Sequence, residues 1–199
     1  MKSMAVGCVF LVLFSGCSES DSPKPVKEVP DFILVGQVYD SARFIASNTF
    51  YSINRVESDT IPIELEIADS YYTLDLVTIA DNEESDIYSQ MIIALANNEP
   101  IKFLRTEPDG FERYFLKTLA EADTISNEQE FWQFQVHLLF QGKENAAQTI
   151  PYIDQGFYVP FKIERGNDRK ILGWIKMRLV REGIPIQGLK LISYAWIET

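Results

Sequence analysis

A single histidine among 199 residues narrows the chemistry open to this chain. A serine nucleophile needs a base held beside it, and a histidine base here would have to be His137. That residue stands in Phe131–Gln141 (FWQFQVHLLFQ), on the polar side with Gln133, Gln135 and Gln141, where an imidazole reads as a surface group. The chain has no Gly-x-Ser-x-Gly, no His-Glu-x-x-His and no Gly-x-x-x-x-Gly-Lys. The spacings that build a nucleophile elbow, a zinc helix or a phosphate cradle are therefore missing. Carboxylates remain, because a glycosidase needs only two acids about 5–10 Å apart across a cleft. Glu64 and Glu66 share one side of a strand, as do Glu128 and Glu130, and both pairs read first as solvated faces. The run Asp81–Asp86 (DNEESD) gathers oxygens that suit calcium, but without a glycine to tighten it the reading is a polar hairpin loop.

The two cysteines carry a different chemistry. Met1-Lys2 is a short cationic start, Ala5–Leu13 is apolar, and Phe14-Ser15-Gly16 brings small residues up to Cys17. That order reads as a bacterial lipoprotein signal over residues 1–16, with Cys17 becoming the acylated N-terminus; the plainer alternative is an ordinary secretory peptide cut near the same point. The apolar run falls well short of the roughly 20 residues a helix needs to span a bilayer. Cys8 leaves with the signal and Cys17 takes the lipid, so no thiol is left for a disulfide, a zinc site or a nucleophile. The mature fold must rest on core burial alone, without cofactor or metal. Residues 17–30, polar and with three prolines, cannot bury enough apolar surface to fold and form a tether. The acids directly after the cysteine, Glu19 and Asp21, resemble the export signal of Bacteroidota lipoproteins. That resemblance implies the outer face of the outer membrane, with a periplasm-facing lipoprotein as the alternative.

Charge excludes one partner class. The chain carries a formal net charge of −11, and duplex nucleic acid is bound by Lys and Arg neutralising phosphates, so nucleic acid is excluded as a partner. The imbalance is uneven: residues 17–160 hold 9 basic and 25 acidic side chains, whereas residues 161–199 hold 8 basic and 4 acidic. Either the basic C-terminal strands lie beside acidic ones in one sheet, where opposite charges pair favourably, or they form a patch for an anionic ligand.

Stepping along the chain from Asp31 to Thr199, the dominant pattern has period two, as a half-buried strand requires. Ile61, Ile63, Leu65 and Ile67 alternate with Pro62, Glu64, Glu66 and Ala68. Within Phe131–Gln141, Trp132, Phe134, Val136, Leu138 and Phe140 define the apolar side of one strand. Further strands are expected at Phe32–Val38, Tyr71–Ile79 and Tyr88–Ala96. The C-terminal third reads as three antiparallel strands, 156–164, 169–180 and 189–197, joined by a Gly-Asn turn and by Gly183-Ile-Pro185. Pro160 lacks an amide hydrogen, so its strand should lie at an edge or bulge there. Helix is confined to short pieces near Asp40–Ala46 or Phe115–Ala122. The expected fold is an all-β antiparallel sandwich in one domain, residues 31–199, with a C-terminal meander.

The segments Ile150–Ile163, Leu172–Leu179 (LGWIKMRL) and Leu191–Glu198 (LISYAWIE), with Asp123–Ser126 upstream, resemble an uncharacterised β-domain. It occurs in secreted and surface proteins of Bacteroidota and in PEP-CTERM-type proteins, with a Gly-Trp-Ile strand and a closing Tyr-Ala-Tyr-Glu. The resemblance spans roughly residues 120–199 and implies location and β architecture but no reaction. Relatives often carry an Asp-rich loop suited to calcium; the corresponding Ile63–Asp75 has no glycine and spaces its acids along strands, which puts that site in doubt. Trp174, Lys176 and Arg178 share one side of their strand, and Tyr194 and Trp196 share a side of the last. Exposed, these rings and cations would stack on sugars and hold acidic groups; buried, they are core. The expected role is a lipid-anchored, non-enzymatic module that attaches a glycan or an envelope protein. The alternatives are a carboxylate-based glycoside hydrolase and a structural subunit of an envelope complex.

Overall fold

A computed structural model describes residues 31–40, 43–54, 57–81, 90–97, 100–108, 113–130, 132–141, 148–166, 169–181 and 186–199. Cys17, Glu19 and Asp21, the acids at 82–86 and the break at 183–185 lie outside the described residues. The strands, in order, are β1 (Phe32–Leu34), β2 (Phe44–Ala46), β3 (Phe50–Ser52), β4 (Asp59–Ile67), β5 (Ser70–Asp81), β6 (Gln90–Ala96) and β7 (Ile101–Leu104). They continue with β8 (Thr124–Ser126), β9 (Trp132–Gln133), β10 (Gln135–Gln141), β11 (Gln148–Thr149), β12 (Phe157–Glu164), β13 (Lys170–Arg181) and β14 (Ile186–Glu198).

Two antiparallel sheets face each other. One runs β11-β10-β6-β5-β4; the other runs β2-β14-β13-β12-β7-β9, with β3 also paired to β14. Alternation on β4 sets its face: Ile63, Leu65 and Ile67 are fully buried while Glu64 and Glu66 are exposed. They meet Phe103, Phe161, Ile175 and Leu189 from the seven-stranded sheet in one core. The C-terminal strands form the expected meander, with Phe161 opposite Gly173 and Gly173 opposite Trp196 across three strands.

β13 and β14 do not alternate apolar with polar, since Ile171–Ile175 is buried without interruption, as is Ser193–Ile197. Strands that read this way are covered on both faces. The cover on the outer face is a third layer, the two-stranded sheet β1-β8. Ile33, Val35 and Ile125 there close over Leu172, Trp174, Ala195 and Ile197 in a second, smaller core.

Three expectations change. Of the two short helical pieces, the first survives only as a 3-10 turn at Arg43, whose N–H donates to the Asp40 carbonyl (3.0 Å), before Phe44–Ala46 becomes β2, paired with β14; in the second, Phe115 and Leu116 lie extended. Leu116 N–H donates to the His137 carbonyl and Lys117 N–H to the Leu104 carbonyl, so this segment bridges β10 of one sheet and β7 of the other. Satisfying two sheet edges at once outweighs local helical preference. The segment 131–141 is not one strand, because β9 pairs with β7 in the larger sheet while β10 pairs with β6 in the smaller. The chain switches sheets at Phe134, which is left exposed, and a bulge between His137 and Leu139 buries both Leu138 and Leu139. Pro160 sits in an interior strand, but beyond the end of β7, whose pairing with β12 covers only Phe161–Ile163.

At one end of the sandwich Arg165, just past β12, reaches across to the β4-β5 turn. Its Nη2 donates to the Ala68 carbonyl (3.1 Å), Ser70 Oγ (3.0 Å) and Tyr72 Oη (3.1 Å). The turn it holds has Ala68 and Asp69 both at positive φ, 49° and 59°, the twist that a two-residue hairpin loop requires.

Candidate functional site

The meander carries the five residues singled out for ligand contact, and the pleat divides them. Trp174 and Lys176 project outward, while Tyr194 and Trp196 project into the main core. Trp174 is only 2 % exposed, its Nε1–H donates to the Gln37 carbonyl (3.2 Å), and Tyr158 meets it edge-on at 5.4 Å. Tyr194 and Trp196 are 4 % and 6 % exposed and stack on each other at 6.0 Å. No ring among these is open for a sugar to stack on, which corrects the glycan-platform expectation in favour of its interior alternative. The cause is the third layer on one face and the facing sheet on the other. Lys176 Nζ donates to Tyr158 Oη (3.1 Å), and Arg178 lies further along the same outward row.

A polar cleft opens where the edges of the two sheets come together. Arg43 and Ile45 come from β2 and the residue before it, Glu66, Ala68 and Asp69 from the end of β4 and its turn, and Trp196 and Glu198 from β14; the cavity measures about 320 Å³. β4 is an edge strand, and its exposed backbone is managed from the opposite sheet: Glu66 N–H donates to Tyr194 Oη (3.1 Å). Burial pushes the Tyr194 phenol above its ordinary range, and the Glu66 carboxylate adds to this. Tyr51 is raised in the same way, by burial first and then by Glu64. Trp196, walled into the cleft, has an indole N–H with no acceptor among the described residues. The cleft thus sets three carboxylates and one guanidinium around one small volume. Arg43, Glu66 and Glu198 are too far apart in sequence for spacing to have joined them, although the Glu64/Glu66 pair had marked one of its walls.

The remaining candidates separate. Glu128 and Glu130 are exposed. His137 is half-buried on β10, with its ring 5.8 Å from Phe115, instead of lying on an open surface. Ile63–Asp75 is the β4-β5 hairpin. Among the described residues no group of three His, Cys, Asp or Glu side chains is placed to hold a metal ion.

Charge pairing also departs from expectation, because the acids of β4 lie in the other sheet from β12, β13 and β14. Lys102 and Lys162, directly opposite each other, share Glu164 at 2.8 and 3.1 Å. The Lys102 hydrogen bond, then that of Lys162, holds this carboxyl below its usual range. Arg181 pairs with Asp154 at 2.6 Å. Neither a family profile, nor a curated protein, nor a solved structure matches this chain.

Proposed function

We propose that this protein is an envelope lipoprotein, anchored through acyl chains on Cys17 at the outer membrane and facing outward, whose β-sandwich binds a polar glycan unit in the cleft beside Trp196. The observation that carries the binding reading is the lining of that cleft. Sugar hydroxyls donate to carboxylates such as Glu66, Asp69 and Glu198 and accept from Arg43, and a small cavity suits one or two sugar rings. The anchor reading rests on Phe14-Ser15-Gly16-Cys17 and the tether behind it. Two acyl chains give stable attachment where one is marginal.

Mass spectrometry of the native N-terminus reads the anchor directly: an unacylated Cys17 overturns it. Protease shaving of intact cells reads the facing, since a protected domain overturns surface exposure. For the cleft, a panel of envelope and host oligosaccharides is screened against the protein, with Glu66→Gln and Glu198→Gln as comparisons. Each substitution should weaken binding about tenfold or more, the worth of a charge-assisted hydrogen bond, with melting temperature unchanged. A panel that binds both variants as tightly as the parent overturns the assignment. Release of reducing ends that both substitutions abolish would replace it with the carboxylate hydrolase, the reading favoured by several acids in one cleft.

A further inference from the structure

Among the described residues, only part of the outer face of the seven-stranded sheet is covered, and Lys176, Arg178 and Lys190 on the rest are half-buried. β1 and β8 close over Leu172, Trp174, Ala195 and Ile197, and beyond them the outward positions of β13 and β14 turn cationic. Arg178 and Lys190 are register partners across β13 and β14, and Lys190 is in turn opposite Phe50 on β3. One row across three strands therefore reads cation, cation, exposed aromatic, with Phe50 49 % exposed and Lys176 two positions away on β13. Like charges directly opposite repel. The sheet's other such pair, Lys102 and Lys162, has Glu164 set between its ammonium groups. Arg178 and Lys190 have no ion pair or hydrogen bond with any described residue. In a chain of net charge −11, a cation pair without a partner among the described residues, beside an exposed ring, is a surface suited to an anion.

The position of the tether says which anion. β1 packs on β13 and β14, so the chain enters the domain on this same face. Residues 17–30, fully extended, reach about 50 Å. A tether that long leaves orientation to the domain's own surface. We propose that the cationic part of this face docks on an anionic membrane, with Lys176, Arg178 and Lys190 meeting lipid phosphates and Phe50 entering the headgroup layer. The proposal rests on the acyl anchor for proximity, while the recognition belongs to these side chains.

The full chain, purified in detergent, is reconstituted into phosphatidylcholine vesicles with and without about one-third phosphatidylglycerol. The rate of lysine acetylation by a water-soluble reagent is then followed residue by residue by mass spectrometry. Lys190 should label about fivefold more slowly on the anionic vesicles, the factor that about 1 kcal/mol per cation supplies, while exposed Lys117 is unchanged. High salt and Arg178→Gln should each return Lys190 to its rate on neutral vesicles. Equal Lys190 rates on the two vesicles overturn the proposal. So does equal protection on neutral vesicles by inorganic phosphate alone, which would mark a small-anion site. A chain that fails to stay with neutral vesicles refutes the anchor; mixed with preformed anionic vesicles, the same protein still reads the face.

Discussion

Replacing Gly173 by Ala tests whether the centre of the sandwich is packed as described. A Cβ at that position would lie 2.2 Å from Phe161 Cζ, 2.4 Å from Phe161 Cε1 and 2.5 Å from the Ala195 carbonyl oxygen. Ordinary contacts begin about 1 Å further out, so something must move. Phe161 is fully buried in the main core, and the Ala195 carbonyl belongs to the β13-β14 pair, so neither yields cheaply. Overpacking of this kind costs about 1–3 kcal/mol, and the backbone contact puts the expected value near the top of that range. Part is offset, by about 0.5–1 kcal/mol, because alanine narrows the unfolded ensemble. The net loss should be about 2 kcal/mol, or about 4–8 °C in melting temperature for a domain of this size. Urea denaturation followed by tryptophan fluorescence reads it, since Trp174 and Trp196 lie on opposite faces of the same sheet. Gly166→Ala is the control: a Cβ there meets nothing within 4 Å, and stability should stay within about 0.5 kcal/mol. Adding Phe161→Leu to Gly173→Ala removes the ring that clashes, so the double variant should lose about 1 kcal/mol less than the sum of the singles. A Gly173→Ala protein as stable as the parent, or strict additivity in the double variant, would show that the ring does not lie over this glycine.

Arg165→Met should cost about 2–3 kcal/mol in urea denaturation, because the carbonyl of Ala68 and the buried Tyr72 hydroxyl lose a charged donor; a change under about 0.5 kcal/mol would mean the two sheets do not depend on this bridge. Glu164 is held below its usual range by Lys102 and Lys162, so the stability it contributes is complete above its ordinary value of 4.5 and is lost as pH falls through the folded value. Its side chain is 45 % exposed, and solvent screening keeps the effect below about 1 kcal/mol; thermal melts below pH 5 should show Glu164→Gln losing less than the parent, and parallel curves would refute the pairing. Tyr194 has its phenol raised by burial, so its contribution is full below 10.0 and declines as pH rises further. Tyr194→Phe should flatten the alkaline limb of the stability curve, and an unchanged slope there would place the tyrosine in solvent.

Period-two alternation settles a strand's faces locally, because each side chain simply takes the side its neighbour does not. For that reason Ile63, Leu65 and Ile67 could be assigned to a core from the chain alone, and the three C-terminal strands with their breaks could be recognised as a meander. The same rule fails where a strand is apolar on both sides. Nothing near Trp174 or Trp196 distinguishes an outward from an inward ring: Trp174 is buried because a distant segment, Ile33 and Val35 with Ile125, closes over its face, and Trp196 because the facing sheet covers the other. The switch at Phe134 is equally hidden, since a strand that leaves one sheet for another keeps its alternation while changing partners. Sequence determined that this chain makes strands and how its charge is divided. Only the tertiary arrangement brought Arg43, Glu66 and Glu198 around one cleft and left Arg178 facing Lys190. Such contacts join residues from strands distant in sequence, and their free energy depends on which sheets meet, a choice no local pattern encodes.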